Sequence, residues 1–212
     1  MPTSADARPH VTDTDAVHGE HGFGFLDRLG IVLRSRAVLS FARRERPAAV
    51  LDLGCGYDAG LLRQLAPHVT RLVGVDLRVS AAAKALPGSL FLEQRIDEAL
   101  AALDEGAFDL VTMMSVLEHL EDGPATLAGC HRVLRPGGTL IVHVPTWQGK
   151  PVLEWFAFRR GVATEGINDH RMYYGVRDLW PPLIAAGFEP RNVRMRYHTG
   201  GFALRAVARR AA

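Results

Sequence analysis

Two carboxylates and a pair of glycines are the residues whose spacing first suggests chemistry. The apolar run Val50-Leu51-Asp52-Leu53 holds an acid near its end and passes into the turn Gly54-Cys55-Gly56-Tyr57-Asp58-Ala59-Gly60. Glycine has no Cβ, so a ligand can press against bare backbone at Gly54 and Gly56. A helix starting after such a turn aims its unpaired N–H groups into the same crevice. A second apolar run, Leu72-Val73-Gly74-Val75, ends on Asp76, twenty residues beyond Gly56. That separation places an acid where nucleotide-binding α/β proteins meet ribose hydroxyls. Together these residues point to an adenosine-containing cofactor.

The elements that must hold these residues alternate along the chain after Pro47. Strands are expected at 48–53, 71–76, 89–93, 108–114 and 138–144, and helices at 59–66, 79–86, 96–103 and 124–134. Pro67 and Pro87 close helices, and Gly137-Gly138 marks a turn before a strand. Continuous apolar strands such as Leu140-Ile141-Val142 imply burial on both faces, as in a parallel sheet covered by helices. A further helix is expected at about 175–186, followed by strands 191–198 and 202–209 with no helix between them, hence an antiparallel hairpin.

Ahead of this domain (47–212), residues 1–22 are polar and read as a mobile tail. The spacing of His10, His18 and His21 in it matches no tight metal site, and no metal is expected. Residues 23–46 form a helical cap whose segment from Phe25 to Arg46 is basic and amphipathic, with Leu26, Leu29, Val32, Leu33, Val38 and Phe41 on its apolar stripe. It is expected over the end of the sheet with its arginines in solvent; the alternative is contact with a membrane surface or an acidic substrate.

Bulk properties narrow the function classes. The chain has 212 residues, 48% hydrophobic and 23% charged, as in ordinary globular proteins. A net charge of +2 gives no general reason to expect nucleic acid. Two cysteines build no disulfide framework, which suits the cytoplasm. No apolar stretch reaches the ~18 residues of a membrane span, and the N-terminus lacks the order of a secretion signal.

In the order of its motifs the sequence resembles the class I S-adenosylmethionine-dependent methyltransferases, from about Val50 to Val207. The resemblance rests on Asp52-Leu53-Gly54-Cys55-Gly56, Asp76, Phe108-Asp109-Leu110-Val111, Val116-Leu117-Glu118-His119-Leu120, Arg132-Val133-Leu134-Arg135-Pro136-Gly137-Gly138, Asp169-His170 and Ala186-Gly187-Phe188-Glu189. It implies a Rossmann-like, doubly wound α/β fold: seven strands, mostly parallel with the last antiparallel, and helices on both faces. A dinucleotide dehydrogenase shares the first glycine turn, but the Pro136-Gly137-Gly138 turn and the terminal strand pair argue against one. The implied cofactor is S-adenosyl-L-methionine. Gly54 and Gly56 would approach its methionine end, Asp52 would hold the loop and favour the ammonium, Asp76 would accept from the ribose, and Leu77 would lie on the adenine. Cys55, Tyr57, Ile96, Met114 and Ser115 complete the implied cofactor site, with Cys55 a filler rather than a nucleophile. Two departures stand out. Asp58 replaces a third glycine and is expected to cap the next helix, and Arg95 replaces the usual adenine-side carboxylate, leaving backbone at Ile96 or the side chain of Asp97.

Catalysis must come from the carboxyl ends of the fourth and fifth strands, which selects Met114, Ser115, His119, His143, Thr146 and Trp147. His119 is the first choice as general base, with packing beside the cofactor as its other reading; His143 is expected as a hydrogen-bonded core residue. His170 and Tyr173 are further catalytic candidates, and Asp169 a further acceptor contact. The stretch 146–174 is expected as a substrate-side insertion, helical over 150–160. It mixes Trp147, Trp155, Phe156, Phe158, Tyr173 and Tyr174 with Lys150, Arg159, Arg160 and Arg171, which suits either a lid over a planar or anionic small molecule or a capping helix with its own core. Oxygen is favoured over nitrogen as the methyl acceptor. Nucleic acid is not expected, because Met113-Met114-Ser115-Val116 stands where nucleic-acid amine methyltransferases carry Pro-Pro-aromatic. A methyltransferase-like domain without turnover, or one acting on a macromolecule, is the alternative reading.

Overall fold

The computed structural model describes residues 25–150 and 171–212, with side chains for 35–150 and 171–212. The tail at 1–22, most of the 146–174 insertion, Asp169 and His170 therefore lie outside the described residues.

Seven strands form one sheet among the described residues: β1 (Ala49–Leu53), β2 (Arg71–Asp76), β3 (Ser89–Glu93), β4 (Phe108–Met114), β5 (Leu134–Pro145), β6 (Val193–His198) and β7 (Ala203–Arg209). Their spatial order is β3-β2-β1-β4-β5-β7-β6. The first five are mutually parallel, while β7 runs antiparallel to both β5 and β6. The expected hairpin is present, and its second strand inserts between β5 and β6. Strand order reverses at β1, so the switch crevice opens between the carboxyl ends of β1 and β4.

Alternate residues of each strand serve opposite faces. Val50, Leu72, Leu110 and Ile141 join one apolar cluster with α1 (Phe25–Glu45) and α2 (Gly60–Leu65). Leu51, Leu53, Val73, Val75, Val111, Met113, Leu140 and Val142 join the other, with α4 (Ile96–Ala102), α5 (Gly123–Val133) and α6 (Val176–Ala185). The short α3 (Ala81–Lys84) follows β2, capped by the Ser80 hydroxyl, which accepts the Ala83 N–H. Each fully buried leucine contributes about 1.5–3 kcal/mol by leaving water, so neither face can be exposed without losing the fold.

Two expectations are corrected here. The cap helix α1 buries Val38 and Ala42 with Leu61, Leu62 and Leu65, so it lies with α2 on a sheet face rather than over the sheet's end. Arg36, Arg43 and Arg44 are exposed, as expected. The Pro136-Gly137-Gly138 turn lies inside β5 rather than before it. Pairing jumps from Phe108↔Leu134 to Leu110↔Thr139, and the extra residues bulge out. A Cβ on Gly138 would stand 2.9 Å from the Arg135 carbonyl and 3.1 Å from that of Phe108, which is why the bulge needs glycine.

Candidate functional site

The loop after β1 is tied to the end of β2 by backbone and by one carboxylate. The Gly54 and Cys55 N–H groups both donate to the Val75 carbonyl, at 2.8 and 3.1 Å. The Gly56 N–H donates to Asp76 Oδ2 at 2.7 Å, and the Leu77 N–H to Asp76 Oδ1 at 2.8 Å. Each carboxylate oxygen has a second lone pair, so Asp76 holds both loops and still has two acceptor positions for a vicinal diol. Nearby Glu93, at the end of β3, ties the loop after β2 in a similar way. It accepts the Val79 N–H at 2.9 Å and pairs with Lys84, and that bond holds its carboxyl below the usual range.

The two glycines of the turn do different work. A Cβ on Gly54 would stand 2.3 Å from Val116 Cγ2, so that glycine makes room for Val116 and not for a ligand. A Cβ on Gly56 would meet no heavy atom within 4 Å, and its φ of +76° suits glycine. Gly56 is thus the point at which the crevice reaches bare backbone. Leu77, 52% exposed, flanks that opening. Tyr57 is half-buried, and its carbonyl accepts the Ser80 N–H at 2.8 Å. The expected cap at Asp58 is absent. Ala59, with φ of +49°, occupies the N-cap of α2, and Asp58 offers its carbonyl to Arg63 Nε at 2.7 Å.

Asp52 does not hold the loop by a hydrogen bond, since the loop's N–H groups are taken by Val75 and Asp76. It is 2% exposed and accepts the Thr112 hydroxyl at 2.7 Å. Burial pushes its carboxyl up to about 7, against the lowering effect of the Thr112 bond, and the Asp76 charge adds to the rise. A cation brought to this point would recover the lost charge stabilisation. Cys55 is buried, and burial together with the charges of Asp52 and Asp76 pushes its thiol upward. It therefore stays protonated, the form in which a thiol is a poor nucleophile.

At the adenine side, Ile96 opens α4, whose N-cap Arg95 makes no side-chain cap bond. Arg95 reaches Asp97 instead, at 3.1 and 3.4 Å, with both side chains exposed. Asp97 is therefore occupied, and the Ile96 N–H belongs to the first turn of α4, where no intrahelical acceptor exists.

Across the switch, β4 ends at Met114, which pairs with His143 in register. Ser115 has φ of +61°; its N–H donates to the His143 carbonyl at 2.8 Å and its Oγ lies 3.4 Å from His143 Nδ1. His143 is buried, and its ring lies 4.7 Å from that of His198, in keeping with its expected core role. The 3-10 turn Leu117–His119 presents His119 half-buried just past β4. Tyr173 is 4% exposed, its ring 5.6 Å from that of Trp147 and 5.6 Å below Lys150 Nζ. Trp147 is exposed, and its indole N–H donates to Asp178 at 3.3 Å. Thr146 is not available to an acceptor, because its hydroxyl donates to the Gly201 carbonyl at 2.7 Å and accepts the Gly149 N–H at 3.2 Å.

Thr112 and Val116 were not selected from the sequence, yet one partners Asp52 and the other fills the space beside Gly54. Thr112 had a signal: it is the polar residue in Leu110-Val111-Thr112-Met113-Met114, where burial demands a partner. Open backbone at Gly56, free acceptor positions on Asp76 and a buried carboxyl at Asp52 fit a nucleoside carrying a cationic amino-acid end.

A family model described as a methyltransferase domain matches residues 27–193. A ubiquinone biosynthesis O-methyltransferase of Xanthomonas oryzae pv. oryzae is 39% identical over 102 residues, 45% of this chain and 42% of that protein. The chain thus matches less than half the length of that relative. The enzyme of the same description from Ralstonia nicotianae is 30% identical over 168 residues, covering 73% of this chain and 70% of that protein. Among solved structures, an O-methyltransferase family protein from Burkholderia thailandensis shares the fold, with a TM-score of 0.63 at 17% identity over 88% of this chain and 57% of that one. With the family model spanning most of the sequence, the chain belongs to the class I S-adenosylmethionine-dependent methyltransferases.

Proposed function

We propose that this protein transfers a methyl group from S-adenosylmethionine to a hydroxyl oxygen of a small, planar acceptor. The observation that carries the reading is the Asp76 carboxylate, which clips Gly56 and Leu77 while keeping two acceptor positions beside the open backbone of Gly56. Oxygen is favoured because the curated relatives quoted above are named O-methyltransferases.

Bound in this crevice, S-adenosylmethionine would supply a methyl group already activated on a sulfonium, with S-adenosylhomocysteine as the leaving group. The chain has to hold, align and dry the reactants. Asp76 holds the ribose, Asp52 faces the ammonium, and Leu77 with the Ile96 N–H receives the adenine. Cys55, Tyr57, Met114 and Ser115 line the remainder. His119 accepts the acceptor's hydroxyl proton as the bond to oxygen forms. The Trp147–Tyr173 pair, with Lys150 beside it, covers a flat ring. Both cysteines are free and buried, in keeping with a reducing cytoplasm, and no helix among the described residues is long and apolar enough to cross a membrane.

The reading is tested by calorimetry with S-adenosylhomocysteine, followed by mass analysis of hydroxylated aromatics incubated with S-adenosylmethionine. One acceptor gains the mass of a CH₂ unit, and Asp76→Ala weakens cofactor binding at least about 100-fold, since charged hydrogen bonds contribute about 1.5–3 kcal/mol each. Binding without any methylated product would favour a domain without turnover; no binding, with Asp76→Ala no different, would defeat the assignment.

A further inference from the structure

A basic row crosses the sheet on the face that carries Asp52. Residues in register on neighbouring strands share a face. Asp52 pairs with Thr112, and two residues further along β4 Met114 pairs with His143, His143 with Arg205, and Arg205 with Arg196. The row therefore runs from the carboxyl end of β4 across β5 and β7 to β6. At about 4.8 Å per strand, the Arg205 backbone lies about 10 Å from that of Met114, within reach of a small molecule and an arginine side chain.

Arg196 and Arg205 oppose each other directly in an antiparallel pair, where like charges are destabilising. Nothing local relieves them. From Pro190 to Ala212 the sequence holds six arginines and no Asp or Glu. Four of the six have acceptors. Arg191 pairs with Glu189, and Arg194 donates to the Arg191 and Val193 carbonyls. Arg209 donates to the Gly137 carbonyl, and Arg210 to Glu105 and three carbonyls. Among the described residues, neither Arg196 nor Arg205 has an ion pair or a hydrogen bond to its guanidinium. An edge strand gains from exposed charge, which accounts for Arg196 on β6. It does not account for Arg205, which is half-buried on an interior strand.

The neighbours of Arg205 on this face are histidines, and neither carries a negative charge. Across the small Ala203, His198 from β6 meets His143 from β5, and Arg205 lies beside both. Burial, and then the charge of Arg205, hold His198 below the usual histidine range. The Nε2 of His198 is buried without a partner. This is a place where an anion would satisfy several groups together.

We propose that Arg205 and Arg196 bind an anionic group, a carboxylate or a phosphate, on the methyl acceptor, and so select acidic acceptors. The inference rests on the methyltransferase reading and deepens it. The cofactor cradle lies on β1 and β2, three to four strands from Arg205, so the row is placed for the second substrate and not for the cofactor. Planar guanidinium groups suit the two oxygens of such a group.

The test uses the full chain saturated with S-adenosylhomocysteine and titrated with benzoate, phenyl phosphate and benzyl alcohol. Benzoate or phenyl phosphate binds and benzyl alcohol does not; which of the two binds tells carboxylate from phosphate. Arg205→Gln weakens that binding at least tenfold and Arg196→Gln at least threefold, while S-adenosylhomocysteine affinity, the check on folding, stays unchanged. Arg194→Gln and Arg209→Gln, whose guanidiniums already have acceptors, leave anion binding intact. Equal losses in those two variants would reduce the effect to general charge attraction and overturn the proposal. Anion binding unaffected by Arg205→Gln and Arg196→Gln, or no anion binding at all by a chain that binds S-adenosylhomocysteine, would overturn it too, and the methyltransferase reading would stand. Loss of S-adenosylhomocysteine binding in the parent chain would instead remove the reading beneath it.

Discussion

Thr112 donates its hydroxyl to Asp52 at 2.7 Å from the register-paired position on the neighbouring strand. That one neutral bond is the polar support of a carboxyl with almost no access to water, so the proton stays on Asp52 up to about pH 7.

The consequence is a specific pH dependence of stability. Between the ordinary carboxyl value of 3.8 and about 7 the folded carboxyl keeps a proton that the unfolded one releases. The stabilisation is complete below about pH 4 and is lost as pH rises through 7, with a slope of up to about 1.4 kcal/mol per pH unit. Asp52→Asn should remove this slope in chemical denaturation series at pH 4.5, 6 and 8. A cofactor ammonium beside Asp52 should also expel the proton, so binding near pH 6.5 releases protons to the buffer. Calorimetry in two buffers of different ionisation enthalpy reads this directly, and identical heats would remove Asp52 from the ammonium.

Gly54 and Gly56 should separate folding from binding. Gly54→Ala places a Cβ against Val116 at a positive φ. About 1–2 kcal/mol of backbone strain and about 1–3 kcal/mol of overpacking should be lost, and Val116→Ala in the same chain should restore the overpacking part. Gly56→Ala bears only the strain, yet should weaken S-adenosylhomocysteine more than tenfold. Denaturant midpoints and binding isotherms on the same samples decide it; equal stability loss in both single variants would remove the distinction.

His119→Ala should lower kcat about 100-fold, the lower end of what a positioned general base contributes, with S-adenosylhomocysteine affinity within about twofold of the parent. Parallel loss of turnover and cofactor affinity would make His119 a packing residue.

The sheet was legible because its strands are apolar on both faces and its breaks are chemical. Strands β1 to β4 lie within a residue of their expected limits, as buried parallel strands admit few polar residues. The β5 boundary was not legible, since Gly137-Gly138 reads as a turn whether it precedes a strand or bulges within one. Asp58 misled for a related reason. An acid before a helix suggests a cap, but whether its carboxylate can fold back depends on the loop's path, and here Ala59 takes the left-handed turn.

By itself the sequence determined the acids near the ends of β1 and β2, the glycine turn between them and the alternation of strand and helix. These follow from local propensity and from the short distances along the chain that link them. Tertiary structure alone decided which glycine faces open space, that Thr112 supports Asp52, and that Arg205 stands between Arg196 and His143. Those contacts join residues about 60 positions apart or strands inserted out of order, and their register is set by how the faces of the sheet pack.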